Sequence, residues 1–143
     1  MKFILGIIAV LTIWVMPVKA ENQSIEKLVE ALRLAAPQTG TENDGLYSDW
    51  QVKAENILRW SRLCPGKQMT VEEFEANTTK ARKVLECVME DILNEQYAAS
   101  GNDESLAVRR AAAWWMTGDP EQYNQGETAN YTNKVLDFYQ KQK

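Results

Sequence analysis

Residues 70–98 constrain this chain more than any other stretch. Phe74, Ala81, Val84, Leu85, Val88, Met89, Ile92, Leu93 and Tyr97 recur at spacings of three and four, the signature of a helix that buries one face. Thr70 and Glu73 form a capping-box pair at its start. Inside it, Asn77, Thr78 and Thr79 stand together. All three are poor helix formers, each able to hydrogen-bond its own backbone. A helix with so long an apolar stripe needs other helices to cover it, and the rest of the chain supplies them.

Residues 24–36 read as a first helix, with Ile25, Leu28, Val29, Leu32 and Ala36 on one face and Pro37 at its end. Residues 38–45 are turn chemistry throughout, and a mobile, solvated loop is expected there. Ser48 and Gln51 form a second capping-box pattern. The helix expected from it runs to Leu63, with Trp50, Ala54, Ile57, Leu58 and Ser61 on one stripe and Trp60 beside it. Cys64-Pro65-Gly66 stops that helix.

Asn102 or Asp103 caps a further helix that reaches Thr117, with Leu106, Arg110, Ala113, Trp114 and Thr117 on its expected inner face. Ala111 to Ala113 would allow a neighbour to come close. Gly118 ends the helix, and Asp119-Pro120 restarts structure with a cap and a proline at the first helical position. Residues 128–140 form the last expected helix, with Tyr131, Val135, Phe138 and Tyr139 on its apolar side. No segment shows the period-two alternation of a half-buried strand. The expected fold is therefore all-α, a small bundle of four to five helices.

The first twenty residues are of a different kind. Lys2 precedes an apolar run over residues 3–16, Pro17 ends it, and Val18-Lys19-Ala20 places small or branched side chains where a signal peptidase reads. The run is short for a membrane span, which needs about 20 residues. Residues 1–20 are read as a cleaved signal peptide and residues 21–143 as one helical domain, divided into the first helix with its loop (21–45) and a core (46–143). The expected location is secreted or periplasmic, with membrane contact only through the leader.

Compartment also bears on the two cysteines, Cys64 and Cys87. In an oxidising setting one disulfide is expected. Geometry raises an objection. Along an unbroken helix from Val71, Cys87 lies about 24 Å from the start, while the chain between Cys64 and that start spans only about 20 Å when extended. The bridge therefore requires a break near residues 77–79, or a connection over residues 65–69 that lies back along the helix. No Cys-x-x-Cys pair is present, so thiol redox catalysis is not indicated.

The chain contains no histidine, and 20 acidic residues outweigh 16 basic ones for a net charge of -4. The missing histidine removes serine-triad, cysteine–histidine and most zinc mechanisms. The acidic balance argues against nucleic acid as a partner, since phosphate backbones recruit Lys and Arg. Remaining acid–base candidates are carboxylates: Glu86 with Glu90, and Asp91 with Glu95, spaced i,i+4 on the long helix. Such pairs are common on solvated helix faces. Glu104-Ser105 resembles the Glu-Ser pair of lytic transglycosylases, but the accompanying motifs are absent, and a glutamate in a first helical turn is explained by the helix dipole. No catalytic, metal or cofactor site is assigned.

The densest unusual stretch holds Arg109, Arg110, Trp114 and Trp115. Adjacent helical residues point about 100° apart, so one tryptophan is expected to face inward and the other to lie near the surface. With Tyr123 and Tyr131 these residues form the candidate binding set. The leading expectation is a non-enzymatic module that binds another protein. The alternatives are a carrier of a small apolar ligand in an aromatic-lined pocket and a histidine-free carboxylate hydrolase. A cavity among Trp60, Trp114 and Tyr131 would favour the carrier, and a flat exposed aromatic patch the protein-binding module.

Overall fold

A computed structural model describes residues 20–38 and 44–143. The signal-peptide expectation for residues 1–19 lies outside the described residues, as does most of the expected loop, residues 39–43. Among the described residues the order is α1 (Asn22–Ala35), β1 (Leu46–Tyr47), β2 (Val52–Lys53), α2 (Ala54–Leu63), α3 (Val71–Ala76), α4 (Thr78–Ala99), α5 (Glu104–Thr117), a 3-10 turn (Pro120–Asn124) and α6 (Gly126–Lys141). The fold is an all-α bundle with one two-stranded antiparallel hairpin.

The long apolar stripe is the centre of the core. Ala81, Val84, Leu85, Val88, Met89, Leu93 and Tyr97 of α4 are all buried, and α1 and α5 both pack on this helix. Ile25, Leu28, Val29 and Leu32 of α1 bury against α4 and α6. The break at residues 77–79 is present. Asn77 leaves the helical conformation (φ -123°, ψ 89°), ends α3, and caps α4 by accepting a bond from the Lys80 N–H at 3.0 Å. The interruption lets Cys87 lie beside Cys64: the two are joined, with their Cα atoms 5.8 Å apart. The connection before α3 also turns back on α2, because the Met69 N–H donates to the buried Ser61 hydroxyl at 2.8 Å.

The second helix is shorter than expected. Residues 48–51 form the turn of the hairpin instead of a helical start, with Ser48 (φ 62°) and Gln51 (φ 57°) in the left-handed region. Two effects override the capping-box pattern. The Ser48 hydroxyl accepts from the Trp50 N–H at 3.3 Å, and the Ser48 carbonyl accepts from the Gln51 N–H at 3.1 Å, a local alternative to the helix that serine often takes. The turn also drives Trp50 into the core, 1 % exposed, where its indole N–H donates to the Val29 carbonyl of α1 at 2.8 Å. Arg82 of α4 covers the ring at 5.1 Å and pairs with Glu30 of α1. One side chain thus ties the hairpin to α1 and α4. Leu58, assigned from the sequence to the inner stripe of α2, is 37 % exposed, because a helix that starts at Ala54 turns Ile57, Trp60 and Ser61 inward.

The inner face of α5 also differs from expectation. Ala107, Val108, Ala111, Ala112 and Ala113 are buried, whereas Leu106, Arg110 and Trp114 are only half-buried and Thr117 is exposed. The small side chains let α4, α6 and the 3-10 turn all pack on α5, and its large residues are left to the margins. Gly118 (φ 81°) supplies the left-handed residue that ends α5. Asp119 then caps the 3-10 turn by accepting from the Glu121 N–H at 3.0 Å.

Candidate functional site

The margins of α5 help to build a concavity. Trp114 and Trp115 are both half-buried, so neither is the inward partner of the other. Both lean on one ring, the buried Trp60 of α2, with centroids 6.0 Å and 5.4 Å away and planes tilted by 30° and 35°. The two residues point apart along α5, yet the wide indole of Trp60 meets both. The resulting cleft has a volume of about 470 Å³.

One wall comes from β2 and α2, with Lys53, Asn56, Arg59 and Trp60. The other comes from the end of α5, with Trp114, Trp115 and Met116, and Tyr131 of α6 closes one side. Burial pushes the Tyr131 hydroxyl well above the usual phenol range. Met116 is 46 % exposed at the edge. The Arg59 guanidinium donates to the Asn56 side-chain oxygen at 3.0 Å, a neutral partner.

The other candidate residues lie in a separate cluster. Arg109 donates to the Thr132 hydroxyl and to the Tyr123 carbonyl, each at 3.3 Å. Arg110 donates to Gln96 of α4 and pairs with Glu121, each at 2.9 Å. The Tyr123 ring lies 5.1 Å from one guanidinium and 6.0 Å from the other. The Thr132 hydroxyl donates to the Tyr123 carbonyl at 2.6 Å. These groups lock the 3-10 turn between α5 and α6. Of the six residues singled out in the sequence, Trp114, Trp115 and Tyr131 meet in the cleft, and Arg109, Arg110 and Tyr123 have structural partners elsewhere.

No match was found when the chain was compared with protein-family models, with curated proteins and with solved structures. The reading of the cleft therefore rests on its own chemistry.

Of the carboxylates singled out on α4, Glu86 and Glu90 line a second, shallower concavity together with Glu26 of α1. Glu86 is half-buried, and burial, followed by the Glu26 charge facing it from α1, raises its pKa; Arg82 and Lys83 oppose that shift. Glu90, Asp91 and Glu95 are exposed. Among the described residues no group of three or more His, Cys, Asp or Glu could hold a metal ion. Glu104 accepts a hydrogen bond from the Tyr139 hydroxyl, and that bond together with burial raises the tyrosine pKa. This pairing joins the start of α5 to α6 and gives Glu104 a structural role alongside the helix dipole.

Sequence reasoning missed the rim residues Lys53, Asn56, Arg59 and Met116. Periodicity could not find them, because Lys53 ends β2 and the others lie off the buried stripes of α2 and α5. The only available signal was that Trp60 and Trp114 are large aromatics placed at the edges of their apolar stripes.

Proposed function

We propose that this protein is a non-enzymatic binding module of an oxidising, extracytoplasmic compartment, and that the tryptophan cleft receives a side chain of another protein. The observation that carries the reading is the tilted packing of Trp114 and Trp115 on one buried Trp60 beside an open cleft with a polar rim. Aromatic anchors within a rim of polar groups are what interface hot spots are made of. Rings packed in this way have little rotamer freedom left to lose on binding. The leader pattern and the Cys64–Cys87 bridge support the compartment. Among the described residues no helix is long and apolar enough to cross a membrane.

A carrier of a small apolar ligand is the second reading. Its support is the cavity volume, which falls within the ~300–1,000 Å³ of small-molecule sites, and a lining that includes Trp60, Trp114 and Tyr131. Native mass spectrometry of protein purified from its source separates the two readings. A retained small-molecule mass supports the carrier, and a retained polypeptide supports the protein-binding module.

Two measurements test the proposal. Protein captured on the immobilised domain, identified by mass spectrometry, should be lost when Trp115→Ala is used in its place. Truncating an anchor of this kind costs about 2 kcal/mol or more, roughly thirtyfold in affinity. Equal capture by Trp115→Ala, with its thermal melt unchanged, would remove the cleft from the interface. For the compartment, N-terminal sequencing of the exported protein should begin at Glu21; an intact Met1 terminus held in a membrane would contradict export by a cleaved leader.

A further inference from the structure

We infer that the cleft selects an acidic segment of its partner: a bulky apolar side chain flanked by carboxylates. The inference rests on the protein-binding reading above and concerns what that site prefers. The whole chain is acidic, with a net charge of -4. The described residues that line the cleft reverse this balance: they include two cations, Lys53 and Arg59, and no carboxylate.

Like most of the cations among the described residues, these two form no ion pair. Arg33, Arg82, Arg110 and Lys141 each pair with an Asp or Glu. Among the described residues Lys53 forms no such pair, and Arg59 bonds only the neutral Asn56 side chain. Both are exposed. A cationic rim around apolar walls focuses its field into the cleft and steers an anionic partner toward it.

Spacing refines the preference. Lys53 directly precedes α2 and Arg59 lies on it, so the two are about 9 Å apart along the helix at 1.5 Å per residue. An extended segment covers that distance in about three residues at roughly 3.3 Å each. A partner with two acidic residues two or three positions apart, and an apolar anchor next to or between them, would match both cations and fill the tryptophan cleft. A nucleic acid offers the same sign of charge without such an anchor, and the acidic remainder of the chain repels a polyanion.

The test is phage display of random dodecapeptides against the exported protein, run in parallel on Trp115→Ala and on the double variant Lys53→Glu/Arg59→Glu. Circular dichroism melts establish that each variant folds, and the exposed sites 53 and 59 leave the core untouched. Peptides enriched on the wild-type protein are expected to carry Trp, Phe or Leu with flanking Asp or Glu. The double variant should enrich the same apolar anchor with Lys or Arg flanks. A synthetic peptide from the wild-type selection should bind the double variant roughly tenfold more weakly, and weaken on the wild type as salt rises.

Wild-type selections with an apolar anchor but neutral or basic flanks would overturn the acidic preference and leave the protein-binding reading standing. So would a synthetic peptide that binds the double variant as well as it binds the wild type. No enrichment on the wild type over Trp115→Ala would overturn both.

Discussion

Leu85→Ala is expected to lower the unfolding free energy by about 2–5 kcal/mol. Leu85 is fully buried near the middle of α4, on the stripe that packs on α1 and α5. It belongs to the contiguous core cluster, and a cavity left in such a packed core is filled only in part by its neighbours. A domain of this size is stable by only about 5–15 kcal/mol, so the loss is a large share of the total. Urea unfolding followed by circular dichroism should show a lower midpoint with an unchanged slope. A midpoint equal to that of the wild type would mean that Leu85 is not part of the packed core.

Loss of the Cys64–Cys87 bridge is expected to be comparably severe. The chain-entropy model assigns about 3 kcal/mol to a loop of this length, on the order of 10 °C in melting temperature. Thermal melts of the oxidised protein and of Cys64→Ala/Cys87→Ala check it. Thiol titration of the unfolded, unreduced protein should find no free thiol, because both cysteines are joined. The site should feel the same change. Cys64 directly follows α2, and its N–H donates to the Trp60 carbonyl at 2.7 Å, so the bridge holds the floor of the cleft against α4. Removing the bridge should therefore also alter tryptophan fluorescence below the melting transition. A melt that does not shift would show that packing alone positions α2.

Much of the architecture was legible in residue order. The stripes of α1 and α4 could be read because helical periodicity reports a one-sided burial directly. The break at Asn77 was one of the two routes left open by the reach that a disulfide demands, and the poor helix formers there supported it. Asp103, Gly118 and Asp119-Pro120 marked ends correctly because caps act within a single turn.

The errors have a common cause. Ser48 and Gln51 carry the capping-box residues, but the alternative hairpin gains the burial of Trp50 against α1, more than twenty positions earlier in the chain, and no local pattern contains that contact. On α5, the prediction placed Trp114 on the inner face by its spacing from Leu106, Arg110 and Ala113. The structure buries the alanines instead, because three neighbours crowd this helix and only small side chains fit among them.

The sequence by itself determined the helical class and the buried faces of α1 and α4, which depend on neighbours within a few turns, and it narrowed the route to the disulfide to a break near residues 77–79 or a connection over residues 65–69 that folds back. Only the tertiary structure decided which residues meet in the cleft. Trp60 and Trp114 are more than fifty positions apart, and their contact depends on where the rest of the fold holds α2. The Cys64–Cys87 bridge fastens the end of α2 to α4, and the Ser61–Met69 hydrogen bond fastens it to the connection before α3. Local patterns along a chain report which side of an element is buried; which buried sides face one another is a property of the packed whole.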